Sequence, residues 1–160
     1  MGTQPEQMFG FVIHEVARLL RRRFEQRLRS TGIGLTRAQC AALVHLAARG
    51  PCNQACLAQS LDIEPITLVR LLDRLQDAEL VVRKPDPRDR RAHVVELTAK
   101  ARPMLERIYD LARDVYGEAQ AGLSKPDTER LLEQLNAIKG NLTESTAEPA
   151  EPSTRSTRRV

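Results

Sequence analysis

Two groups of polar side chains in this sequence could do chemistry on a partner molecule. Thr67, Arg70 and Arg74 recur every three or four residues within a leucine-rich segment, which places them on one side of a helix. Five basic residues and two acids give the stretch 83–91 a local charge of +3; they are Arg83, Lys84, Arg88, Arg90, Arg91, Asp86 and Asp89. Guanidinium groups donate hydrogen bonds in a planar fork that suits phosphates and guanine edges. Both groups therefore predict contact with a nucleic acid.

The overall composition is compatible with that prediction. A chain of 160 residues can form one domain with a modest core. Aromatic residues make up 3% and tryptophan is absent, so the core must come from aliphatic side chains, which suits packed helices. The formal net charge of +4 fits a polyanionic partner without identifying one.

Several classes of function find no support in the sequence. It contains no glycine-rich phosphate loop, nucleophile elbow, metal-binding motif or clustered acid–base pair, so we expect neither an enzyme nor a cofactor or metal. No signal peptide and no apolar run of about 20 residues is present, which predicts a cytoplasmic protein away from the membrane. Cys40, Cys52 and Cys56 show no disulfide or zinc spacing and are expected to be structural.

The segment from Asn53 to Thr98 must position the polar groups. Asn53 is a good N-cap for a short helix over 54–60, and Pro65 suits the first turn of the next helix. That second helix is expected to bury a stripe of Ile66, Val69, Leu72 and Leu75, flanked by Leu68 and Leu71. Two β-branched runs, 80–83 and 93–97, predict an antiparallel pair joined by the basic loop. The result is a winged helix-turn-helix.

Helices are predicted on both sides of this lobe. Apolar residues recur every four positions from Met8 to Ser30, after a loose terminus, and Gly32 and Gly34 end that helix. Thr36 and Gln39 form a capping-box signature for a helix to Arg49. Thr98 is expected to cap a long helix to about Ala121, bent or delayed by Pro103, and another helix spans 124–142. The fold class is therefore mainly α with a small β-hairpin, and residues 143–160 are expected to be a disordered tail.

The wing sequence DPRDRRAHVVELTAKA, together with IEPITLVRLLDRLQDAELVVR and NQACLAQSLDI, resembles the MarR family of transcriptional regulators, and its SlyA-like branch most closely. The resemblance covers roughly residues 35–105. Asp62 and Glu79 stand where the family commonly has glycine. Aspartate tolerates left-handed backbone better than glutamate, so only the second departure is expected to affect where the recognition helix ends.

The resemblance and the residue types together assign roles on DNA. Thr67 and Arg70 are expected to read base edges in the major groove, while Arg74 meets the backbone or pairs with Asp77. By resemblance, Arg91 enters an AT-rich minor groove with Asp89 orienting its guanidinium. The remaining wing residues, Arg88 and Arg90, are expected at phosphates. Three helix-start residues are primarily caps whose backbone N–H groups could also hold phosphate: Thr36, Gln39 and Asn53.

The flanking helices carry more apolar surface than one small lobe can cover, which predicts a homodimer. Residues 1–34 and 99–142 would be its dimerisation helices, with 35–98 as the DNA-binding lobe. Such a dimer should bind double-stranded DNA at an inverted repeat, with half-sites about 34–36 Å apart, and is expected to repress. The resemblance also implies a small aromatic or phenolic acid as effector. His14, Arg18 and His45 are candidates for its site, although ordinary surface roles explain them better.

Other interpretations stay open at this point. A regulator of the same fold could respond to oxidation through cysteine. A nonspecific architectural DNA-binding protein would share the basic wing but need no tailored recognition helix. A dimeric ligand-binding protein that has lost DNA binding is a further alternative.

Overall fold

The computed structural model describes residues 5–87, 89 and 92–144. Within them the helices are α1 (Pro5–Ser30), α2 (Arg37–Arg49), α3 (Gln54–Leu61), α4 (Pro65–Asp77), α5 (Ala101–Ala119) and α6 (Lys125–Glu144). The strands are β1 (Cys52–Asn53), β2 (Val81–Pro85) and β3 (His93–Leu97). The predicted fold class, mainly α with a winged helix-turn-helix, is confirmed. The chain divides into two compact units, one ending at Ala119 and the other beginning at Gln120.

The core of the first unit is aliphatic, as the composition predicts. Its fully buried side chains come from α2, α3, α4, α5 and the sheet; the largest are Leu43, Leu57, Leu68, Leu72, Leu75, Ile108, Val81, Val95 and Val115. Phe24 packs only partly buried against this cluster. Because four separate helices and a sheet contribute to one core, the position of α4 is determined by the whole unit.

The helix starts follow local capping chemistry. Thr36 accepts a hydrogen bond from the Gln39 backbone N–H at 3.3 Å, and the Gln39 side chain accepts one from the Thr36 N–H at 2.8 Å. Asn53 Oδ1 accepts from the Cys56 N–H at 2.8 Å. Pro65 occupies the first position of α4, where its missing N–H costs nothing. All three predicted starts are confirmed.

Other boundaries differ from prediction. Helix α1 begins at Pro5, within the segment expected to be loose, and α6 extends to Glu144, into the expected tail. Helix α5 begins at Ala101, so Thr98 is not its N-cap, and the Thr98 hydroxyl instead donates to the Glu79 carbonyl oxygen. Pro103 lies in the first turn of α5, where a proline is tolerated. The rest of the predicted tail, from residue 145, lies outside the described residues.

The sheet has one strand more than expected. Its order is β1-β3-β2, with both neighbouring pairs antiparallel. Cys52 pairs with Val95, and β2 pairs with β3 from Val81↔Leu97 to Pro85↔His93. The predicted antiparallel pair of β2 and β3 is confirmed. Strand β1 was not predicted because it has two residues, too few for any alternation to show. This strand anchors the start of α3 to the wing.

The buried stripe of α4 also differs from prediction. Its buried residues are Leu68, Leu71, Leu72 and Leu75, a full i, i+3, i+4, i+7 pattern. Ile66 and Val69, which were predicted to face inward, are 66% and 39% exposed. The four leucines lie within about 100° of one another around the helix, whereas a three-residue spacing from Ile66 drifts around it by about 180°, so Ile66 falls outside the buried side.

Two residues adopt left-handed backbone where glycine is usual. Asp62 has φ 51° at the end of α3, and Glu79 has φ 58° just after α4. Thr98 Oγ1 donates a hydrogen bond of 2.6 Å to the Glu79 carbonyl oxygen, and Lys100 pairs with the Glu79 carboxylate at 3.0 Å. Helix α4 therefore ends at Asp77, and contacts from the chain after β3 hold the strained residue.

Among the helices that the structure describes, none combines the length and apolar composition needed to cross a bilayer.

Candidate nucleic-acid interface

The outer face of α4 carries the predicted reading residues. Thr67, Arg70 and Arg74 are all exposed, on the side opposite the buried leucines. Within the described part of the chain, neither Arg70 nor Arg74 has a hydrogen-bond or ion-pair partner, and Asp77 does not pair with Arg74. The two guanidinium groups are therefore available to an external anion or base edge.

Asp73, on the same face of α4, forms an ion pair with Arg83 of β2. Arg83 Nη2 donates to Asp73 Oδ1 at 2.6 Å and to the Val69 carbonyl oxygen at 3.2 Å. The Arg83 side chain is only 20% exposed, and its Nε is buried without a partner among the described atoms. Arg83 thus joins β2 to α4 and offsets a negative charge next to Arg70. The sequence analysis counted Arg83 in the basic stretch 83–91 and did not predict this contact.

The basic stretch 83–91 has less unpaired positive charge than its sequence indicates. Arg83 is paired with Asp73, and Lys84 on the same strand donates a short hydrogen bond to Glu96 on β3. Both pairs cross between secondary-structure elements, which a count along the chain cannot reveal. The excess positive charge predicted for this stretch must therefore come from the residues beyond β2.

Backbone hydrogen bonds close the wing. The Asp86 N–H donates to the Ala92 carbonyl oxygen, and the Ala92 N–H donates to the Asp89 carbonyl oxygen, both at 2.9 Å. Asp89 is exposed near the tip. The three arginines expected to contact DNA from here, Arg88, Arg90 and Arg91, lie outside the described residues. Their roles, and the orienting role of Asp89, remain predictions.

The three predicted phosphate-holding caps occupy different environments. Thr36 is exposed, whereas Asn53 is half-buried with its amide oxygen committed to α3. Gln39 is 5% exposed and its amide is used within the capping box. The Gln39 side chain is therefore inaccessible to DNA, and its role is that of a cap.

A cavity of about 500 Å³ lies between α1, α2 and α5. Its wall is mainly apolar, with Leu20, Phe24, Val44 and Ile108 among the lining residues. The polar groups at its edge are Arg21, Arg37, Tyr109 and Tyr116. Arg37 Nε already pairs with Glu25 at 3.1 Å, but Arg21 has no partner among the described residues. The cavity can accept an apolar molecule and has the Arg21 cation among its lining residues.

The residues predicted to hold an effector are not among those lining this cavity. His14 is exposed on α1, and His45 is half-buried on α2. Arg18 forms a 2.7 Å ion pair with Glu15, and this hydrogen bond lowers the pKa of the Glu15 carboxyl. The missed candidate is Arg21, which the sequence shows only as one member of an arginine triplet.

The cysteines differ in burial. Desolvation raises the pKa of the buried Cys40 thiol to about 11. It also raises the pKa of Cys52, with a smaller contribution from the neighbouring Cys56. Both Cys40 and Cys52 are therefore protonated at neutral pH, which disfavours them as reactive thiolates. Cys56 is exposed.

The known proteins that this chain resembles include several transcriptional regulators. A family model described as MarR family matches residues 33–92. A probable transcriptional regulator from Pseudomonas aeruginosa is 30% identical, with a TM-score of 0.67, over 84% of this chain and 99% of that one.

Wild-type MarR from E. coli is 25% identical, with a TM-score of 0.73, over 86% of this chain and 98% of that one. A cysteine-to-serine mutant of that protein, crystallised with operator DNA, is 26% identical with a TM-score of 0.67, covering 81% of this chain and 91% of that one. BpsR from Bordetella bronchiseptica, whose DNA binding is regulated by 6-hydroxynicotinic acid, shares the fold at 23% identity and a TM-score of 0.69, over 82% and 98% of the two chains.

Proposed function

The chain belongs to the MarR family of transcriptional regulators, and from this premise we propose that it is a sequence-specific repressor that binds double-stranded DNA as a homodimer. The observation that carries the proposal is the outer face of α4. Its inner leucines are locked in the core, while Thr67, Arg70 and Arg74 project outward, the two arginines without partners among the described residues. A related MarR protein has been crystallised with operator DNA. The wing sequence favours the SlyA-like branch.

Each α4 residue has a distinct task on DNA. Arg70 donates two hydrogen bonds to the O6 and N7 atoms of a guanine in the major groove. Thr67 offers a hydroxyl to a base or phosphate, and Arg74 reaches the phosphate backbone. Resemblance assigns Arg91 to the minor groove, oriented by Asp89, and Arg88 and Arg90 to phosphates. Thr36 and Asn53 stand at helix starts whose backbone N–H groups can face the same backbone.

The dimer is proposed from two apolar surfaces, one in each compact unit. Helix α1 exposes large apolar side chains over residues 8–19: Met8, Phe9, Phe11, Val12, Ile13, Val16 and Leu19. Helix α6 exposes Leu131, Leu132, Leu135 and Leu142. Apolar surfaces of this extent mark interaction sites on soluble proteins. A second copy would cover them and place two α4 helices on an inverted repeat, with half-sites about 34–36 Å apart.

A small aromatic or phenolic acid is the proposed effector. The cavity between α1, α2 and α5 has the size and apolar lining of a ligand site. Arg21 at its edge suits a carboxylate, and His14, Arg18 and His45 remain further candidates. Because the cavity separates a proposed dimer helix from the DNA-binding lobe, a bound ligand would change the spacing of the two α4 helices. Release from DNA would follow. Such a regulator would act in the cytoplasm.

In vitro selection from random duplex DNA tests this proposal. We expect the wild type to select an inverted repeat. Arg70→Ala should weaken binding to the selected site by about 1–3 kcal/mol per half-site, roughly five- to 150-fold for each. The matched control is Arg113→Ala, an exposed arginine on α5 that pairs with Asp110. It should bind like the wild type. Even protection of random DNA, with no preferred site, would instead support an architectural protein.

Sedimentation tests the dimer separately. Val12 is 48% exposed on α1, so Val12→Glu should fold but place a charge in the proposed interface. We expect a wild-type dimer and a largely monomeric variant. If Arg70→Ala remains dimeric and its affinity for DNA is unchanged, the protein is a ligand-binding dimer that does not read DNA through α4.

A further inference from the structure

Ile66 and Val69 are the unexpected feature of α4. Both were predicted to enter the core, yet the structure leaves them 66% and 39% exposed. Ile66 lies four residues before Arg70 and therefore projects from the same side of the helix. It stands next to Thr67, at the N-terminal end of α4. The proposed reading face thus contains an apolar side chain beside its polar ones.

The stability of α4 does not account for Ile66 at this position. Leu68, Leu71, Leu72 and Leu75 already fill the buried side. A β-branched residue on an exposed helix position has a lower helix propensity than leucine or alanine. Ile66 therefore contributes little to the fold, whereas its neighbours Arg70 and Arg74 supply the positive charge that attracts DNA.

The major groove offers one type of apolar group, the C5-methyl of thymine. Residues at the N-terminal end of a recognition helix are those that contact base edges. We propose that Ile66, flanked by Val69, selects thymine by packing against its methyl group. This inference rests on the proposed function, because it assumes that α4 enters the groove. Cytosine at that position would leave its N4 donor facing an aliphatic chain without a partner.

The helix geometry locates the selected thymine. Four residues along an α-helix correspond to about 6 Å. Base pairs rise by about 3.4 Å, so the thymine should lie within about two base pairs of the guanine read by Arg70. Specificity in each half-site would then combine a polar contact with guanine and an apolar contact with thymine.

Replacing thymine with deoxyuridine tests the contact, because it removes the methyl group and leaves every hydrogen-bonding atom in place. The selected wild-type site is synthesised with one thymine per half-site replaced at a time. Fluorescence anisotropy then measures the affinity of the wild type, Ile66→Ala and Ile66→Val for each duplex. Gln76→Ala, an exposed substitution near the C-terminal end of α4, is the matched control.

At one position per half-site, the wild type and Gln76→Ala should lose about three- to fivefold in affinity per methyl group removed. Ile66→Ala should bind the thymine duplex more weakly and show no further loss with deoxyuridine there. Ile66→Val should retain part of the preference. Equal losses for the wild type and Ile66→Ala at every position would overturn the inference while leaving sequence-specific binding intact. If the wild type selects no site, the proposed function fails and this inference with it.

Discussion

The contact between Arg83 and Asp73 allows a prediction whose size follows from the geometry. Arg83 donates one hydrogen bond to a carboxylate at 2.6 Å and one to a backbone carbonyl at 3.2 Å. Bonds to charged groups contribute about 1.5–3 kcal/mol and neutral ones about 0.5–1.5 kcal/mol. The Asp73 side chain is 53% exposed, so solvent screening lowers the first contribution to about 1 kcal/mol. Replacing Arg83 also removes its buried, unpartnered Nε, and this gain offsets part of the stability lost with the two hydrogen bonds.

Arg83→Met keeps the apolar stem and removes both hydrogen bonds. We expect it to lower the free energy of unfolding by about 1–2 kcal/mol. Urea denaturation followed by circular dichroism, at one fixed protein concentration, measures this change. A double-mutant cycle with Asp73→Asn isolates the pair and should give a coupling of about 0.5–1 kcal/mol. A coupling within about 0.3 kcal/mol of zero would refute the assignment of Arg83 as the link between β2 and α4.

The same variants separate two effects on DNA affinity. In Arg83→Met, the Asp73 carboxylate loses its cation and lies on the face that carries Arg70, so DNA binding should weaken several-fold. The double variant removes both charges and should recover most of the affinity. Failure to recover would mean that Arg83 contacts phosphate itself, contrary to its 20% exposure.

Two further predictions concern stability. Glu79→Gly should raise the free energy of unfolding by about 0.5–1 kcal/mol, because glycine relieves the left-handed strain at φ 58°. Glu79→Val should lower the free energy of unfolding. Thermal unfolding of the two variants should therefore show opposite shifts in Tm. Burial raises the pKa of the Cys40 thiol from 9.0 to about 11. The contribution of this thiol to the free energy of unfolding is therefore fully present below pH 9 and is lost as the pH rises to 11. Urea denaturation across that range should show the stability difference between wild type and Cys40→Ala narrowing by up to about 2 kcal/mol, and a constant difference would contradict the assigned cause.

Short-range features of the fold followed from the sequence. The capping box of Thr36 and Gln39, the Asn53 cap and Pro65 at the start of α4 were all predicted and confirmed. Each depends on atoms within about four residues of chain, so the residue types largely determine the local geometry. The left-handed turn at Asp62 belongs to the same class, since its side chain tolerates that backbone.

Features that depend on contacts between distant parts of the chain could not be predicted from the sequence. Strand β1 exists because Cys52 and Asn53 meet β3, about 40 residues later. Arg83 was counted in the basic stretch 83–91, and only the structure shows that β2 places it against α4. Arg21 became a candidate ligand group only because three helices enclose a cavity beside it.

The sequence by itself determined that α4 exists, where it begins and that Thr67, Arg70 and Arg74 share a side of it. Only the tertiary structure decided how that helix is rotated. The apolar residues of α4 allow more than one inward face. The leucines face inward because they pack with α2, α3 and the sheet in one core, and Ile66 therefore faces outward. Periodicity specifies a stripe, but burial free energy depends on the partners that other segments bring to it.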